Sequence, residues 1–243
     1  MSDDETIDNM EELDIIENKP DLHHFYHVYS KGAWQMPMTE HIAALRYSGL
    51  INNLKTFQVG LVGPEDTRNA VREYLDSEGI EYIVCAEADD GWEQETQDAL
   101  HDFAQENDGY IYYAHTKNAV AINAHHIIWR LSMTYHTAII WEDVIKKLDE
   151  GFSAVGSHYI NGATHPDDSN IKRDHGFFGG TFWWTHLKYI KQFPNKPKRL
   201  NRYEAEVWIW LLKDVVESNG EEFRIYDYVP THPVDTGRMV SSW

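Results

Sequence analysis

From residue 22 to residue 116, the sequence alternates four times between a short apolar run and an amphipathic helical pattern. Each run is rich in β-branched and aromatic residues and ends at turn residues, after which apolar residues recur at helical spacing. Strands separated by helices pair in parallel through crossover connections. The alternation therefore predicts an α/β fold, a Rossmann-like three-layer αβα sandwich with a mostly parallel central sheet. The predicted strands cover 22–30, 57–63, 81–88 and 109–116.

The second half of the chain has a less regular pattern. Its apolar spacing predicts helices over 125–137, 141–148 and 202–216, and its short apolar runs predict three further strands. A polar segment over 161–176 forms a long loop, and loops of that length in a compact domain are often functional. We therefore expect this loop to contribute to function. The three predicted segments cover 153–160, 177–184, which is a short strand or a bend, and 224–229.

The charge of the chain limits its partners and indicates its domain boundaries. The 243 residues include 40 acidic and 21 basic ones, a formal net charge of −19. This excess disfavours binding to nucleic acid and to an anionic membrane surface. The length suits one sizeable domain. We expect an acidic disordered tail over 1–21, a single catalytic domain over 22–230 and a C-terminal extension over 231–243.

The cysteine count and the first residues bear on the compartment. The single cysteine, Cys85, excludes an internal disulfide framework and a thiolate zinc cage. One cysteine also suits a reducing compartment. The acidic start lacks the basic residues and apolar run of a signal peptide, and no run of about 18 apolar residues is present. We therefore expect a cytoplasmic protein without an integral membrane segment.

The turns after the first two predicted strands exclude two common nucleotide-binding motifs. In an open α/β sheet, ligands bind beyond the carboxyl ends of the strands. The first turn, SKGAWQMP, is not a GxGxxG sequence, and the second, VGLVGPED, lacks the Gly-Lys-Ser/Thr of a phosphate-binding loop. A dinucleotide-dependent oxidoreductase and a P-loop ATPase are therefore disfavoured. GxSxG and HExxH motifs are also absent from the sequence.

Basic residues follow the fourth predicted strand. His115 and Lys117 alternate with Thr116 at the strand tip, so both side chains can face one cleft. Arg130 lies downstream on a predicted helix that can return over the same cleft. A lysine and an arginine that converge there would hold a phosphate or pyrophosphate group. The alternative is that these residues are ordinary solvated surface charge.

A glycine pair precedes a tryptophan pair in the segment GFFGGTFWW. Gly179 and Gly180 allow close approach of the backbone to a ligand or a positive φ. Trp183 and Trp184 follow, and indole faces stack on sugar rings and bases. We expect a sugar-binding or acceptor-binding cleft here. The alternative is a packed turn with the tryptophans in the core.

Two acidic pairs are candidates for chemistry. Glu204 and Glu206 open a predicted helix, and their spacing of two prevents them from sharing one helix face. Partial burial would raise the pKa of one of them and suit it to general-base catalysis. The alternative is that both complement the helix dipole. Asp89 and Asp90 either cap the following helix, which we favour, or bind a divalent metal.

In their order, these segments resemble the GT-A class of nucleotide-sugar glycosyltransferases. Residues 22–217 are similar to a group of small glycosyltransferase-like proteins of bacteria and phages. Each motif alone is weak, whereas four in the same order are fairly specific. The matching segments are His115-Thr116-Lys117, Trp129-Arg130 with Met133, Gly179-Gly180-Thr181-Phe182-Trp183-Trp184, and Arg202-Tyr203-Glu204-Ala205-Glu206 with Trp208-Ile209.

The resemblance implies a GT-A-like fold and the transfer of a sugar from a nucleotide-sugar donor to a hydroxyl acceptor. The acceptor would be a glycan, a lipid-linked sugar or a protein, and the protein would work in the cytoplasm of a prokaryote or of an infected prokaryotic host. Glu206, with Glu204 as second choice, would remove the proton from the acceptor hydroxyl. The donor diphosphate would contact His115, Lys117 and Arg130, the nucleotide would contact Tyr29, Ser30 and Glu87, and the sugar or acceptor would contact Gly179, Gly180, Trp183 and Trp184.

The sequence departs from the GT-A pattern at the metal site. GT-A enzymes usually carry Asp-x-Asp at the fourth strand tip, where it binds Mn²⁺ or Mg²⁺, whereas this chain has His115-Thr116-Lys117. Lys117, Arg130 and Arg173 would supply the positive charge without a metal. If a cation takes part, Asp89 and Asp90 are the alternative site. The competing functions are a non-catalytic carbohydrate-binding or nucleotide-sugar-binding protein and a nucleotidyltransferase.

Overall fold

The computed structural model describes residues 20–117, 119, 123–160, 176–199 and 202–229. In the first half, four strands alternate with three helices, as the sequence predicts. The strands are β1 (Leu22–Tyr29), β2 (Leu54–Val62), β3 (Ile83–Ala88) and β4 (Tyr110–His115). The helices are α1 (Gln35–Tyr47), α2 (Glu65–Ser77) and α3 (Gln94–Glu106), and a 3₁₀ turn at Leu50–Asn52 follows α1.

The second half contains shorter elements. Its helices are α4 (Ala124–Thr134), which continues into a π-helical turn at Tyr135–Ile139, α5 (Trp141–Asp149), α6 (Leu187–Ile190), α7 (Tyr203–Val207) and α8 (Leu211–Ser218). Its strands are β5 (Ala154–Gly156), β6 (Tyr159–Ile160), β7 (Phe177–Phe178), β8 (Trp183–His186) and β9 (Ile225–Asp227). A 3₁₀ turn at Trp208–Trp210 separates α7 from α8, so the single helix predicted over 202–216 is interrupted.

Seven strands form one sheet in the order β3-β2-β1-β4-β8-β5-β9. Strands β1 to β4 are parallel, and β5 is parallel to β9. Strand β8 lies between β4 and β5 and is antiparallel to both, so six strands share one direction. The predicted mostly parallel central sheet is confirmed. Strands β6 and β7 form a separate antiparallel pair.

Apolar side chains on the two faces of the sheet form two cores. The core on one face includes buried residues of α1, α2, α4 and α5, and the core on the other includes buried residues of α3, α6, α7 and α8. The protein is therefore a three-layer αβα sandwich. In the residues that the structure covers, no helix is long and apolar enough to cross a membrane.

Trp183 and Trp184 lie in these cores, one on each face of the sheet. Successive side chains of a strand point to opposite faces. Trp184 stacks on Tyr112 with ring centroids 5.0 Å apart, and Trp183 stacks on Tyr113 at 5.2 Å. Both indoles are fully buried, because β8 is paired along both edges and helices cover both faces. The prediction of an exposed stacking platform at these two tryptophans is therefore wrong.

The strand predicted over 153–160 is divided by a turn at His158. His158 has a φ of +62°, which is outside the range of a strand. The chain turns there, so β5 stays in the main sheet while β6 leaves it and pairs with β7. Thr181, in the connection between β7 and β8, also has a positive φ, of +60°. The glycine turn between β7 and β8 lies beside the end of β4, where the Gly180 carbonyl oxygen is 2.9 Å from His115 Nε2.

Candidate active site

The candidate site lies at the carboxyl end of β4, which is tied to its neighbour β1. The backbone N–H of Thr116 donates to the carbonyl of His27 over 2.9 Å. The Thr116 hydroxyl accepts a hydrogen bond from the backbone N–H of Tyr29 over 2.8 Å. These two bonds fix the direction in which the chain leaves the sheet. Lys117, the next residue, is thereby directed into the interior above the strand ends.

Lys117 is a buried cation at this edge. Its side chain is 2% exposed, and its Nζ lies 4.2 Å from the centroid of the Trp129 ring on α4. Burial lowers the pKa of Lys117, while the nearby carboxylates of Glu206 and Glu93 act in the opposite direction. An ammonium group over an indole face and close to two acidic side chains is held in place before any ligand arrives. The predicted cation at the strand tip is therefore present there.

The glycine turn packs directly against Lys117. Gly180 has a φ of +93°, and a Cβ atom there would lie 2.5 Å from Met133 Sδ and 3.0 Å from Lys117 Cε. The backbone N–H of Gly179 donates to the carbonyl of His158 over 2.9 Å. Only glycine permits both the conformation and the contact at position 180. The turn, α4 and the end of β4 thus meet at one place.

His115 connects the glycine turn to an acidic residue. Its Nε2 lies 2.9 Å from the carbonyl oxygen of Gly180, and its Nδ1 lies 3.4 Å from Glu93 Oε1. Burial, together with the charge of Lys117, holds the pKa of His115 well below its usual range. The imidazole is therefore neutral near pH 7. Contact of His115 with a donor diphosphate stays a prediction, and the imidazole would take part in it as a neutral group.

Glu93 is a residue that the sequence analysis missed. It immediately precedes α3, makes no side-chain cap to that helix and is 15% exposed. The Tyr113 hydroxyl donates to Glu93 Oε2 over 3.4 Å. Burial and the charge of Glu206 raise the pKa of Glu93, against the effects of Lys117, Tyr113 and Arg202.

The available signal for Glu93 was its position after β3, at the carboxyl edge of the sheet. Ligand-binding residues of open α/β sheets lie at this edge. The segment was instead interpreted through Asp89 and Asp90, which precede Glu93 by a few residues. An acid at the start of a helix also suits the helix dipole, so the position of Glu93 alone does not distinguish it from an ordinary helix-terminal acid.

Glu206 of α7 belongs to the same cluster. Its carboxylate is the charge that most strongly raises the pKa of both Lys117 and Glu93. The two-residue spacing puts Glu204 on another face of α7. Of the two predicted general bases, Glu206 is therefore the one placed beside the buried cation.

Arg130 is committed to a structural ion pair. It is 2% exposed, and its Nε and Nη2 lie 2.8 Å and 2.7 Å from Glu40 Oε2 on α1. Its Nη1 donates to the backbone carbonyl of Lys117 over 3.2 Å. The predicted contact of Arg130 with a diphosphate is therefore wrong, because its guanidinium is already occupied in the interior. Arg202 is exposed, acts electrostatically on Lys117 and Glu93, and is the second cation near the cluster.

The residues predicted to contact the nucleotide lie at the ends of β1 and β3. The Ser30 hydroxyl is buried and bonds to the Val62 carbonyl at 3.1 Å and to the Thr67 hydroxyl at 2.8 Å. It fixes the turn and is not free for a ligand, which corrects the prediction for this hydroxyl. Glu87 is exposed and forms an ion pair with Arg72. A role in nucleotide binding for Tyr29, which is partly exposed, and for Glu87 stays a prediction.

Asp89 and Asp90 form neither a cap nor a metal cluster. Their side chains are 85% and 83% exposed and pair with Arg68 at 3.0 Å and Lys31 at 2.7 Å, respectively. Helix α3 begins at Gln94, too far along the chain for either aspartate to cap it. Within the described ranges, no three His, Cys, Asp or Glu side chains are grouped to hold a metal ion. Arg173 and most of the loop predicted over 161–176 lie outside those ranges.

No protein-family model and no curated protein matches the chain. Among solved structures, it is similar to a 4-diphosphocytidyl-2C-methyl-D-erythritol synthase, with 8% identity and a TM-score of 0.44 over 91% of this chain and 98% of that one. The synthase of the same name from Anaerococcus prevotii gives 8% identity and a TM-score of 0.45 over 92% and 98%. The Rv0371c protein of Mycobacterium tuberculosis H37Rv gives 12% and 0.41 over 92% and 99%. Likenesses this weak carry no argument about activity.

Proposed function

We propose that the protein is a glycosyltransferase that moves a sugar from a nucleotide-sugar donor to a hydroxyl group of a glycan, a lipid-linked sugar or a protein. The observation that supports this proposal is the meeting of Lys117, Gly180 and Glu206 at the carboxyl edge of the sheet. These residues come from three separate segments that carry the GT-A resemblance. The carboxyl edge is also where an open α/β sheet binds its ligands.

In this function, Lys117 and Arg202 hold the donor diphosphate. Negative charge grows on the leaving diphosphate as the bond to the sugar breaks, and a fixed cation in a dry site stabilises that charge strongly. Lys117 is fixed against Trp129 and the Gly180 turn, so little reorganisation is needed when the donor binds. This buried ammonium supplies the charge that a divalent metal would otherwise bring.

Glu206 then serves as the general base. The acceptor oxygen forms the new bond to the anomeric carbon, its proton passes to the Glu206 carboxylate, and the nucleoside diphosphate leaves with the electrons of the broken bond. Trp183 and Trp184 stiffen the sheet beneath the site and make no direct contact with the sugar, because both are fully buried. Their burial also removes the exposed aromatic platform on which a purely carbohydrate-binding function would depend.

The first experiment tests the reaction by its products. The full chain is incubated with a panel of nucleotide sugars and glycan acceptors, in EDTA and in Mn²⁺. Release of a nucleoside diphosphate together with a glycosylated acceptor, retained in EDTA, is expected. Release of pyrophosphate from a nucleoside triphosphate and a sugar phosphate would indicate nucleotidyl transfer instead. Loss of turnover in EDTA with recovery in Mn²⁺ would contradict the role given to Lys117.

Glu206→Gln tests the general base. We expect donor binding to be nearly unchanged, since the amide keeps the shape of the carboxylate. We expect turnover to fall by about two to four orders of magnitude, the usual contribution of a general base. Glu204→Gln, on another face of the same helix, is the matched control and should keep most of the turnover. Equal losses in the two variants would remove Glu206 from this role.

A further inference from the structure

The contact of His115 with Gly180 and Glu93 requires a proton that the proposed reaction does not use. A backbone carbonyl can only accept a hydrogen bond, so His115 Nε2, at 2.9 Å from the Gly180 oxygen, carries a hydrogen. In a neutral imidazole, Nδ1 is then an acceptor. Glu93 Oε1 faces that nitrogen at 3.4 Å. An ionised carboxylate is also an acceptor, so the two atoms would repel each other unless a proton lies between them.

The surroundings place this proton on Glu93. The alternative is a His115 imidazolium paired with a Glu93 carboxylate. This arrangement would add a second buried cation close to Lys117 and to the buried His27. Burial and these two neighbours all lower the pKa of His115. Burial and the charge of Glu206 raise the pKa of Glu93. A neutral acid that donates to His115 Nδ1 satisfies both atoms without adding a buried charge.

We propose that Glu93 is a protonated carboxylic acid at neutral pH, held between His115 and Tyr113, and that it is the positioning residue that keeps the neighbouring Glu206 ionised. Two nearby carboxylates in a partly buried site resist ionising together, so the pair retains one proton. With that proton fixed on Glu93, Glu206 is left as the carboxylate. The second half of this inference rests on the proposed function, whereas the first half does not.

The charged surroundings determine how the pair responds to pH. Above the pH at which Glu93 ionises, Oε1 and Nδ1 become two acceptors in contact, and the His115 link to the glycine turn weakens. Activity should therefore decline on the alkaline side. The titratable and charged groups that face the pair are Tyr113, His115 and Lys117 from the end of β4, Arg202 and Glu206 from the start of α7, His27 from β1 and Arg130 from α4.

The direct test is a ¹³C NMR titration of the glutamate side-chain carboxyl groups in the unliganded full chain. One resonance is expected to titrate above about pH 6, beyond the normal spread for glutamates in folded proteins. It should disappear in Glu93→Gln and persist in Glu95→Gln, the matched control two residues further on, in the first turn of α3. Ionisation of every glutamate below that pH, or persistence of the resonance in Glu93→Gln, would overturn the inference.

A second measurement needs no variant. The ¹⁵N shifts of the His115 ring at pH 7 distinguish the neutral Nε2–H tautomer from an imidazolium. The neutral tautomer with Nδ1 as acceptor is expected, and an imidazolium would contradict a protonated Glu93. Both measurements are made without substrate, so they succeed or fail independently of glycosyl transfer.

The kinetic test addresses the effect on Glu206. The amide of Glu93→Gln can donate to His115 Nδ1 as the acid does, but it cannot ionise. We expect the alkaline limb of the kcat profile to be flatter in Glu93→Gln than in the unaltered protein, with the loss caused by deprotonation of the buried Lys117 remaining in both. An alkaline limb unchanged from that of the unaltered protein would show that Glu93 does not set it. If Glu93→Gln alters the stability of the protein but leaves the alkaline limb of the kcat profile unchanged, the substitution has removed only a structural contact.

Discussion

Gly180 is a residue at which the surrounding structure leaves little room for a side chain. The space where a Cβ would lie is occupied by Met133 and by the stem of Lys117, both from elements fixed by the core. Its φ of +93° adds a separate backbone constraint. The steric constraint and the backbone constraint can be separated experimentally, because Gly220 has the backbone constraint alone. Gly220 has a φ of +74°, and a Cβ there would have no neighbour within 4 Å.

Gly180→Ala should therefore destabilise the protein more than Gly220→Ala does. The positive φ costs about 1 to 2 kcal/mol in either variant. The close contact at position 180 adds about 1 to 3 kcal/mol, the usual cost of overpacking. Urea denaturation of both variants measures the difference. Equal losses would mean that Met133 and Lys117 move aside freely and that the turn is not held against the site.

At the scale of elements, α1 and α4 are joined through the Glu40–Arg130 pair. Arg130 also donates to the carbonyl of Lys117, so the pair extends the contact between the helices to the end of β4. Arg130 is almost fully buried, whereas Glu40 is partly exposed. Among the described residues, loss of the acid alone would leave the buried guanidinium with only the Lys117 carbonyl as a hydrogen-bond partner.

Glu40→Ala should reduce the free energy of unfolding by about 3 to 5 kcal/mol, because it leaves an uncompensated buried charge. The double variant Glu40→Leu/Arg130→Met, which replaces both charges with apolar groups, should recover much of that loss. Denaturation of the single and double variants in a double-mutant cycle measures the coupling. Additive losses would show that the two residues do not stabilise each other.

The sequence predicts the first half of the sheet well, because each strand there is followed by its own amphipathic helix. It does not predict β8, whose four residues are inserted between β4 and β5 in the opposite direction. No feature of the local sequence FFGGTFWW determines which strands will pair with β8. The tryptophans were consequently assigned to a cleft, although the strand period divides them between two cores.

For the candidate site, position along the sheet was informative and charge was not. Lys117 and Glu206 were predicted from their places at a strand tip and at a helix start, Gly180 was predicted from the backbone freedom of glycine, and the structure brings the three together. Arg130 was assigned by its charge, which a partner distant in sequence, Glu40, takes up. Burial keeps His115 neutral. Such long-range effects are not visible in local spacing.

At the scale of the whole molecule, the interior strand β1 carries buried histidines. His24 bonds to His41 of α1 at 2.8 Å and lies between the rings of Phe57 and Tyr112, while His27 bonds to Thr96 at 2.8 Å. Burial lowers the pKa of His24 and of His27 to about 3 and holds that of His41 well below its usual range. All three are therefore neutral in the folded state.

The protein should lose stability in mild acid. Between about pH 6.5 and pH 3, the unfolded chain binds protons at these histidines and the folded chain does not. Stability is therefore fully present above the unfolded pKa and falls as pH decreases, with a combined slope of up to about 4 kcal/mol per pH unit for three groups. His27→Gln should reduce the slope measured by denaturation between pH 7 and pH 5. Substitution of the exposed His125 is the control, and equal slopes would contradict the assignment.

The reversed strand β8 also has a consequence for the order in which the molecule is completed. Tyr113 and its partner Trp183 are 70 residues apart in the chain, at positions 113 and 183. A ribosome needs about 4 to 14 seconds to make that length. During this interval the edge of β4 is an unpaired, aromatic strand edge, of the kind that recruits other chains. A nascent chain therefore exposes this aggregation-prone edge from the synthesis of Tyr113 to that of Trp183. The exposure ends when β8 pairs with β4 in the sheet.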